Sequence, residues 1–197
     1  DGAGMCVFTS FEHACRWAMA LAYLVLGEGD AAGLRLFDDR PRESLAPRRG
    51  FGHLELMDAT LSSRGPGGET DLAGALRRTA ADLPRRSVLF LISDLLCDPR
   101  SVLELVGGLR ARRHELFVLQ VLDPFERDLD LQGPAHFESL EDGSRLRAEA
   151  SLLAPSYREL FRRRQRLYEA SFSGSGIRYA EFYTDSPWDK ALERLLA

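Results

Sequence analysis

Ser87-Val88-Leu89-Phe90-Leu91-Ile92-Ser93-Asp94 is a short apolar run closed by a serine and an acid. Five consecutive apolar residues bounded by turn-forming residues read as a buried strand. It is predicted as the central strand of its sheet. A helical segment, Arg100 to Arg112, follows it and is weakened by Gly107-Gly108. Glu115 to Leu122 is then a second buried strand. Strand, helix, strand in this order implies a parallel sheet covered by helices. Ligands of such sheets collect at the carboxyl ends of the strands. Asp94 stands at such an end and is the first candidate site residue.

The flanking sequence continues the pattern. Phe11 to Gly27 reads as a helix ended by Gly27-Glu28-Gly29-Asp30, and Ala31 to Phe37 as a strand. Arg42 to Ala46 is expected as an edge strand limited by Pro41 and Pro47. Phe51 to Ser62 is helical, and Ser63 to Gly68 is a loop. Thr70 or Asp71 caps the next helix, which runs to about Leu83. Phe137 to Leu140 and Arg145 to Ala148 flank a turn and predict a hairpin. Pro155 opens a long helix to about Phe172, with Tyr157, Leu160, Phe161, Leu167 and Tyr168 as its apolar stripe. Arg178 to Tyr183 is a last strand, and a last helix starts at Pro187. The prediction is a three-layer, Rossmann-like α/β fold: a mostly parallel central sheet flanked by helices, with an additional β-hairpin. Residues 1–197 read as one domain.

Bulk properties narrow the function. A chain of 197 residues with 45% apolar residues can bury a sizeable core. The net charge of -4 argues against nucleic acid as a partner. Cys6, Cys15 and Cys97 show no pairing pattern, so free thiols in a reducing, cytoplasmic setting are expected. Ala18 to Leu26 is too short to span a bilayer and reads as a helix buried nearly all round. No membrane segment is expected in this chain, and membrane association would come from segments outside it.

The segment order resembles a von Willebrand factor A-type domain. More closely, the chain resembles the bacterial domain-of-unknown-function family DUF58, which is associated with MoxR-type AAA+ ATPases. The resemblance is carried by Ala14 through Ala20-Leu21-Ala22-Tyr23-Leu24 to Gly29-Asp30, Gly33-Leu34 and Pro47-Arg48-Arg49-Gly50. It continues in Thr70-Asp71-Leu72, Ser93-Asp94, Asp123-Pro124-Phe125-Glu126 and Phe137-Glu138-Ser139-Leu140-Glu141. It covers essentially the whole chain.

The resemblance implies a metal-ion-dependent adhesion site. In the family, the first loop reads Asp-x-Ser-x-Ser, and later loops add a threonine and an aspartate. Magnesium suits such a set because it takes oxygen ligands in near-octahedral geometry and keeps some water. Asp1, Thr70 and Asp94 match the family's metal positions. Ala3 and Met5 stand where the two serines belong. Alanine offers no oxygen, and a thioether is a soft ligand unsuited to magnesium. The site is therefore expected to be degenerate, holding magnesium weakly at most. The family also places a central strand before the first acid, and the sheet is expected without it, upstream of Asp1. The loop face carrying Ala3, Met5, Thr70 and Asp94 is the expected partner-binding surface.

Plainer roles compete at each position. Asp94, Thr70 and Asp71 can cap turns and helices, and Asp123 and Glu126 more readily fix a turn than perform chemistry. His13, His53, His114 and His136 lack ligand spacing and read as packing or surface residues. Arg162-Arg163-Arg164-Gln165-Arg166 reads as a solvated helix face rather than a nucleic-acid site. Two functions follow. The first is a non-enzymatic protein-interaction module, for which the resemblance implies a MoxR-type AAA+ ATPase and an assembly or chaperone-like process. The second is a magnesium-dependent hydrolase or phosphotransferase using Asp1 and Asp94. The sequence has neither a phosphate loop followed by lysine nor a Gly-x-Ser-x-Gly elbow, which disfavours the enzyme.

Overall fold

The computed structural model describes residues 10–37, 41–63, 72–83, 86–96, 98–111, 113–129, 134–138 and 145–196. Helix α1 (Ser10–Gly27) buries His13, Trp17, Leu21, Ala22 and Leu26, a stripe at helical spacing. Its other side leaves Tyr23 and Leu24 exposed, so it is amphipathic rather than buried all round. Strands β1 (Ala32–Phe37) and β2 (Pro41–Arg48) form an antiparallel ribbon. The expected edge strand is thus longer, and both prolines lie within it; an edge strand tolerates proline because a missing N–H there faces away from the partner. Gly33 lies against β2 so closely that a Cβ would sit 2.9 Å from the Leu45 carbonyl oxygen. The ribbon and helix α2 (Gly52–Ser62) share a small core of Ala22, Leu26, Ala32 and Met57.

Helix α3 (Leu72–Asp82) leads to β3 (Val88–Ser93), α4 (Pro99–Ala111) and β4 (Glu115–Leu122). The short α5 (Pro124–Asp128) precedes the hairpin β5 (Pro134–Glu138) and β6 (Arg145–Glu149). Helix α6 (Ala150–Gly174), β7 (Arg178–Tyr183) and α7 (Trp188–Leu196) complete the chain. Helix α6 begins five residues before its expected opening, so Pro155 lies inside it. Near an amino terminus a proline removes only one early helical hydrogen bond, which makes the position tolerable.

Strands β3, β4 and β7 form a parallel sheet in the order β3-β4-β7. Among the described strands, β4 rather than β3 is therefore the middle one. Its burial agrees: every residue after Glu115 is buried, whereas Val88 of β3 is exposed. The pleat sends alternate side chains to opposite faces. Phe117, Leu119, Val121, Ala180 and Phe182 join Trp17 and Leu21 of α1 and Ala191 and Leu195 of α7. Leu91, Leu116 and Val118 join Leu72 and Leu76 of α3, Val102, Val106 and Leu109 of α4, and Tyr168 and Phe172 of α6. The sheet thus separates two helix-covered cores, a layered α/β arrangement. All three strands of this sheet end at one edge, where the chain turns at Asp94, Asp123 and Thr184.

Candidate functional site

The carboxyl edge of the sheet is built on a tight turn after β3. The Ser93 hydroxyl accepts the Leu95 N–H at 3.1 Å, and Asp94 Oδ1 accepts the Leu96 N–H at 3.1 Å. These side chains stand in for backbone partners and fold the chain back on itself. Leu95 takes a left-handed conformation, with φ of 55°. That conformation costs a residue with a Cβ about 1–2 kcal/mol. Complete burial of the Leu95 side chain and hydrogen bonds to the neighbouring carbonyls hold it there. Asp94 and Leu96 stay exposed on the outside of the turn.

The hydrogen bonds come from beneath. Gln120 Nε2 donates to the Asp94 carbonyl at 2.7 Å, and the Tyr168 hydroxyl donates to the Leu95 carbonyl at 3.2 Å. Gln120 Oε1 accepts from the Tyr179 hydroxyl at 2.6 Å and from Gln165 Nε2 at 2.9 Å. The Tyr183 hydroxyl reaches Glu181 Oε2 at 3.1 Å. Burial, and then the Glu181 charge, push the phenols of Tyr179 and Tyr183 above their ordinary range. Both remain neutral donors at physiological pH. Among the described residues of this network, Gln165 Oε1 is the one side-chain atom buried without a partner; the bonds that reach the turn, from Gln120 and Tyr168, are made and rigidify it.

The second turn carries Asp123-Pro124-Phe125-Glu126. Asp123 is the N-cap of α5, and its Oδ1 accepts the Phe125 N–H at 2.8 Å. The Glu126 carboxylate accepts the main-chain N–H of Asp123, the reciprocal half of a capping box. Thr184, after β7, places its hydroxyl 3.5 Å from Asp123 Oδ2. This motif is a turn-fixing device, and its proline supplies a pre-set φ at the first helical position. Glu126 Oε2 is buried without a hydrogen-bond partner, as is Arg164 Nε on α6. Burial is the main cause that raises the Glu126 carboxyl above its ordinary range. The Asp123 N–H opposes it, the charges of Asp94 and Asp123 add to it, and Arg164 opposes it.

Of the residues singled out from the sequence, Asp94 is on this edge, with one carboxylate oxygen committed to its own turn. Asp1, Ala3, Met5 and Thr70 lie outside the described residues, as do Asp71, Cys6 and Cys97. Among the described residues, no group of three histidines, cysteines or acids is placed to hold a metal ion. His13, His53 and His114 are buried packing residues. His13 lies against Phe182 and Trp188, and burial, with Arg16, holds its imidazole below the ordinary value. Cys15 is a free, half-buried thiol pushed up by burial. The sequence reading missed Gln120 and the Tyr179-Glu181-Tyr183 row. The signals were present: one amide inside an otherwise apolar strand, and polar residues at strict alternation in the next.

A parallel α/β sheet with a turn-built carboxyl edge defines the structural class, and two comparisons place the chain within it. Residues 4–170 match the family model described as "Protein of unknown function DUF58", and the chain belongs to that family. Its structure is similar to the conserved hypothetical protein BatB from Bacteroides thetaiotaomicron, with a TM-score of 0.55 at 14% identity, covering 92% of this chain and 86% of that one. It is equally similar to an aerotolerance-related membrane protein from Bacteroides fragilis, with a TM-score of 0.55 at 14% identity, covering 94% and 88%. At that identity the likeness speaks for the fold alone. No curated protein matches the sequence. Among the described residues no helix is long and apolar enough to cross a membrane.

Proposed function

We propose that this chain is a non-enzymatic protein-interaction module of von Willebrand factor A type. It docks a MoxR-type AAA+ ATPase through the carboxyl edge of its sheet, in an assembly or chaperone-like process. The observation that carries the reading is the Asp94-Leu95-Leu96 turn. It presents an exposed acid and an exposed leucine on backbone held rigidly by Gln120 and Tyr168. A preorganised surface loses little entropy on binding, so modest contacts suffice. Phe125, exposed on the next turn, adds apolar area to the same edge. The partner class is the one that the resemblance to the family implies. Membrane association through segments outside this chain belongs to the same proposal, and the Bacteroides fragilis neighbour is itself described as a membrane protein.

A magnesium ion does not fit this donor set. Ala3 brings no side-chain oxygen and Met5 brings only a thioether, so two of the hydroxyl ligands are missing. Docking on this reading is independent of metal. The test is titration calorimetry of the chain against the purified MoxR-type ATPase from the same genome, in EDTA. Binding that is lost in Asp94→Arg and Leu96→Arg, with both variants folded by circular dichroism, supports the proposal. Equal binding by the variants, or none by the parent chain, rejects it. Metal-dependent hydrolysis of a phosphoester by the parent chain would put the enzyme in its place.

A further inference from the structure

Helix α6 carries a second apolar line that the core does not use. Its buried face is Ala154, Phe161, Gln165, Tyr168 and Phe172. Leu153, Leu160 and Leu167 stand apart from it, with 39%, 66% and 44% of their surface exposed. Their spacing is seven residues, so they fall in one file along the helix. At 1.5 Å per residue the file is about 21 Å long. Single exposed leucines are ordinary, but three in register on one helix are not scattered surface.

The file is narrow. Ser156, Tyr157, Arg163, Arg164 and Ser171 border it, and the exposed Leu152 widens it only at its amino-terminal end, so most of its length has no broad apolar face to sink into lipid. A single file at heptad spacing is instead the seam of a two-helix contact. The charged residues beside it are both arginines. The helix as a whole carries five arginines against two glutamates, a net of three positive charges in a chain of net -4. Two copies of such a helix repel each other.

We infer that the Leu153-Leu160-Leu167 file of α6 is a docking seam for an acidic amphipathic helix of a protein partner. The leucines interlock with apolar residues at the same spacing, and glutamates or aspartates of the incoming helix face the exposed Arg163, whereas Arg164 packs inward over Phe161. The seam runs along the helix layer, whereas the docking edge proposed above lies at the strand ends. The two surfaces are therefore separable by mutation.

The probe is a synthetic 21-residue helix with leucine at every seventh position and glutamates beside it, compared with a scrambled peptide of equal charge. Fluorescence anisotropy with the full chain is expected to show binding of the patterned peptide only. The affinity falls as salt is raised, and at least about tenfold in Leu160→Ser/Leu167→Ser. Both leucines are exposed, and an unchanged melting temperature confirms folding. Arg163→Glu is expected to weaken the acidic peptide and to accept its lysine-for-glutamate counterpart. Asp94→Arg leaves this binding intact, so failure of the edge and failure of the seam are read separately. Absent binding or equal binding of the scrambled peptide overturns the inference. So does leucine-dependent binding to anionic phosphatidylglycerol vesicles without peptide binding, or leucine-dependent self-association in sedimentation.

Discussion

Gln120 donates a 2.7 Å hydrogen bond to the main-chain carbonyl of Asp94, across 26 residues of sequence, from a fully buried position in the middle of the sheet. The bond ties the exposed turn to the core. The amide also accepts from Tyr179 and Gln165, so its removal strands several buried partners at once. A buried group left unsatisfied costs more than a hydrogen bond gains. Gln120→Leu is expected to lower stability by about 2–3 kcal/mol. Tyr168→Phe removes one bond to the Leu95 carbonyl and is expected to cost about 1 kcal/mol. Denaturant unfolding of the two variants measures the order; a neutral Gln120→Leu would mean that the network does not hold the turn.

Glu126 gives the domain a pH signature. Its folded carboxyl titrates above the unfolded value of 4.5, chiefly because it is buried. The stability it contributes is therefore complete below the unfolded value and is lost as pH rises through the folded one. Glu126→Gln removes the buried charge. It is expected to raise the melting temperature at pH 7, with the gain shrinking as pH falls through the folded value and gone below 4.5. A gain that persists unchanged at acid pH would assign the effect to something other than this ionisation.

His13 acts with the opposite sign. Its imidazole is held below 6.5, first by burial and then by Arg16, so the folded state binds fewer protons than the unfolded one. The corresponding stability is present above 6.5 and is lost as pH falls through the folded value. A chemical-shift titration of the imidazole protons is expected to give a midpoint below 6.5. A midpoint above it would contradict the packing against Phe182 and Trp188.

The two faces of α6 predict contrasting mutational costs. Phe161 is buried, and Phe161→Ala is expected to cost about 3–5 kcal/mol through lost burial and a cavity. Leu160→Ala, next to it, is expected to change stability by no more than about 0.5 kcal/mol. Comparable losses at both positions would mean that the file of leucines is covered within the chain itself.

Much of this architecture was legible in the sequence because its strands are apolar runs between strong breakers. Glu115 to Leu122 and Arg178 to Tyr183 were read with the bounds observed. The order of the strands was not legible, since an apolar run does not say which neighbour it pairs with. Nor was the stripe of α6. Leu160 and Leu167 interleave with Phe161 and Tyr168, and two files on one helix cannot be sorted by apolarity alone. Pro155 misled the reading of that helix's start, because a proline opening a helix and one in its second turn look alike in sequence. At the site, Asp94 was legible as a strand-end acid. Its bond to the Leu96 N–H and its tether to Gln120 depend on tertiary placement and were not.

Docking at the Asp94 turn without metal leaves a footprint on the backbone. The most direct measurement is hydrogen–deuterium exchange of the chain with and without the MoxR-type ATPase, in EDTA. Protection on binding is expected in peptides covering Ser93 to Leu96 and Asp123 to Arg127, retained without any divalent ion. Protection that appears only with magnesium, or that leaves the Ser93 to Leu96 turn exchanging as in the free chain, would contradict it.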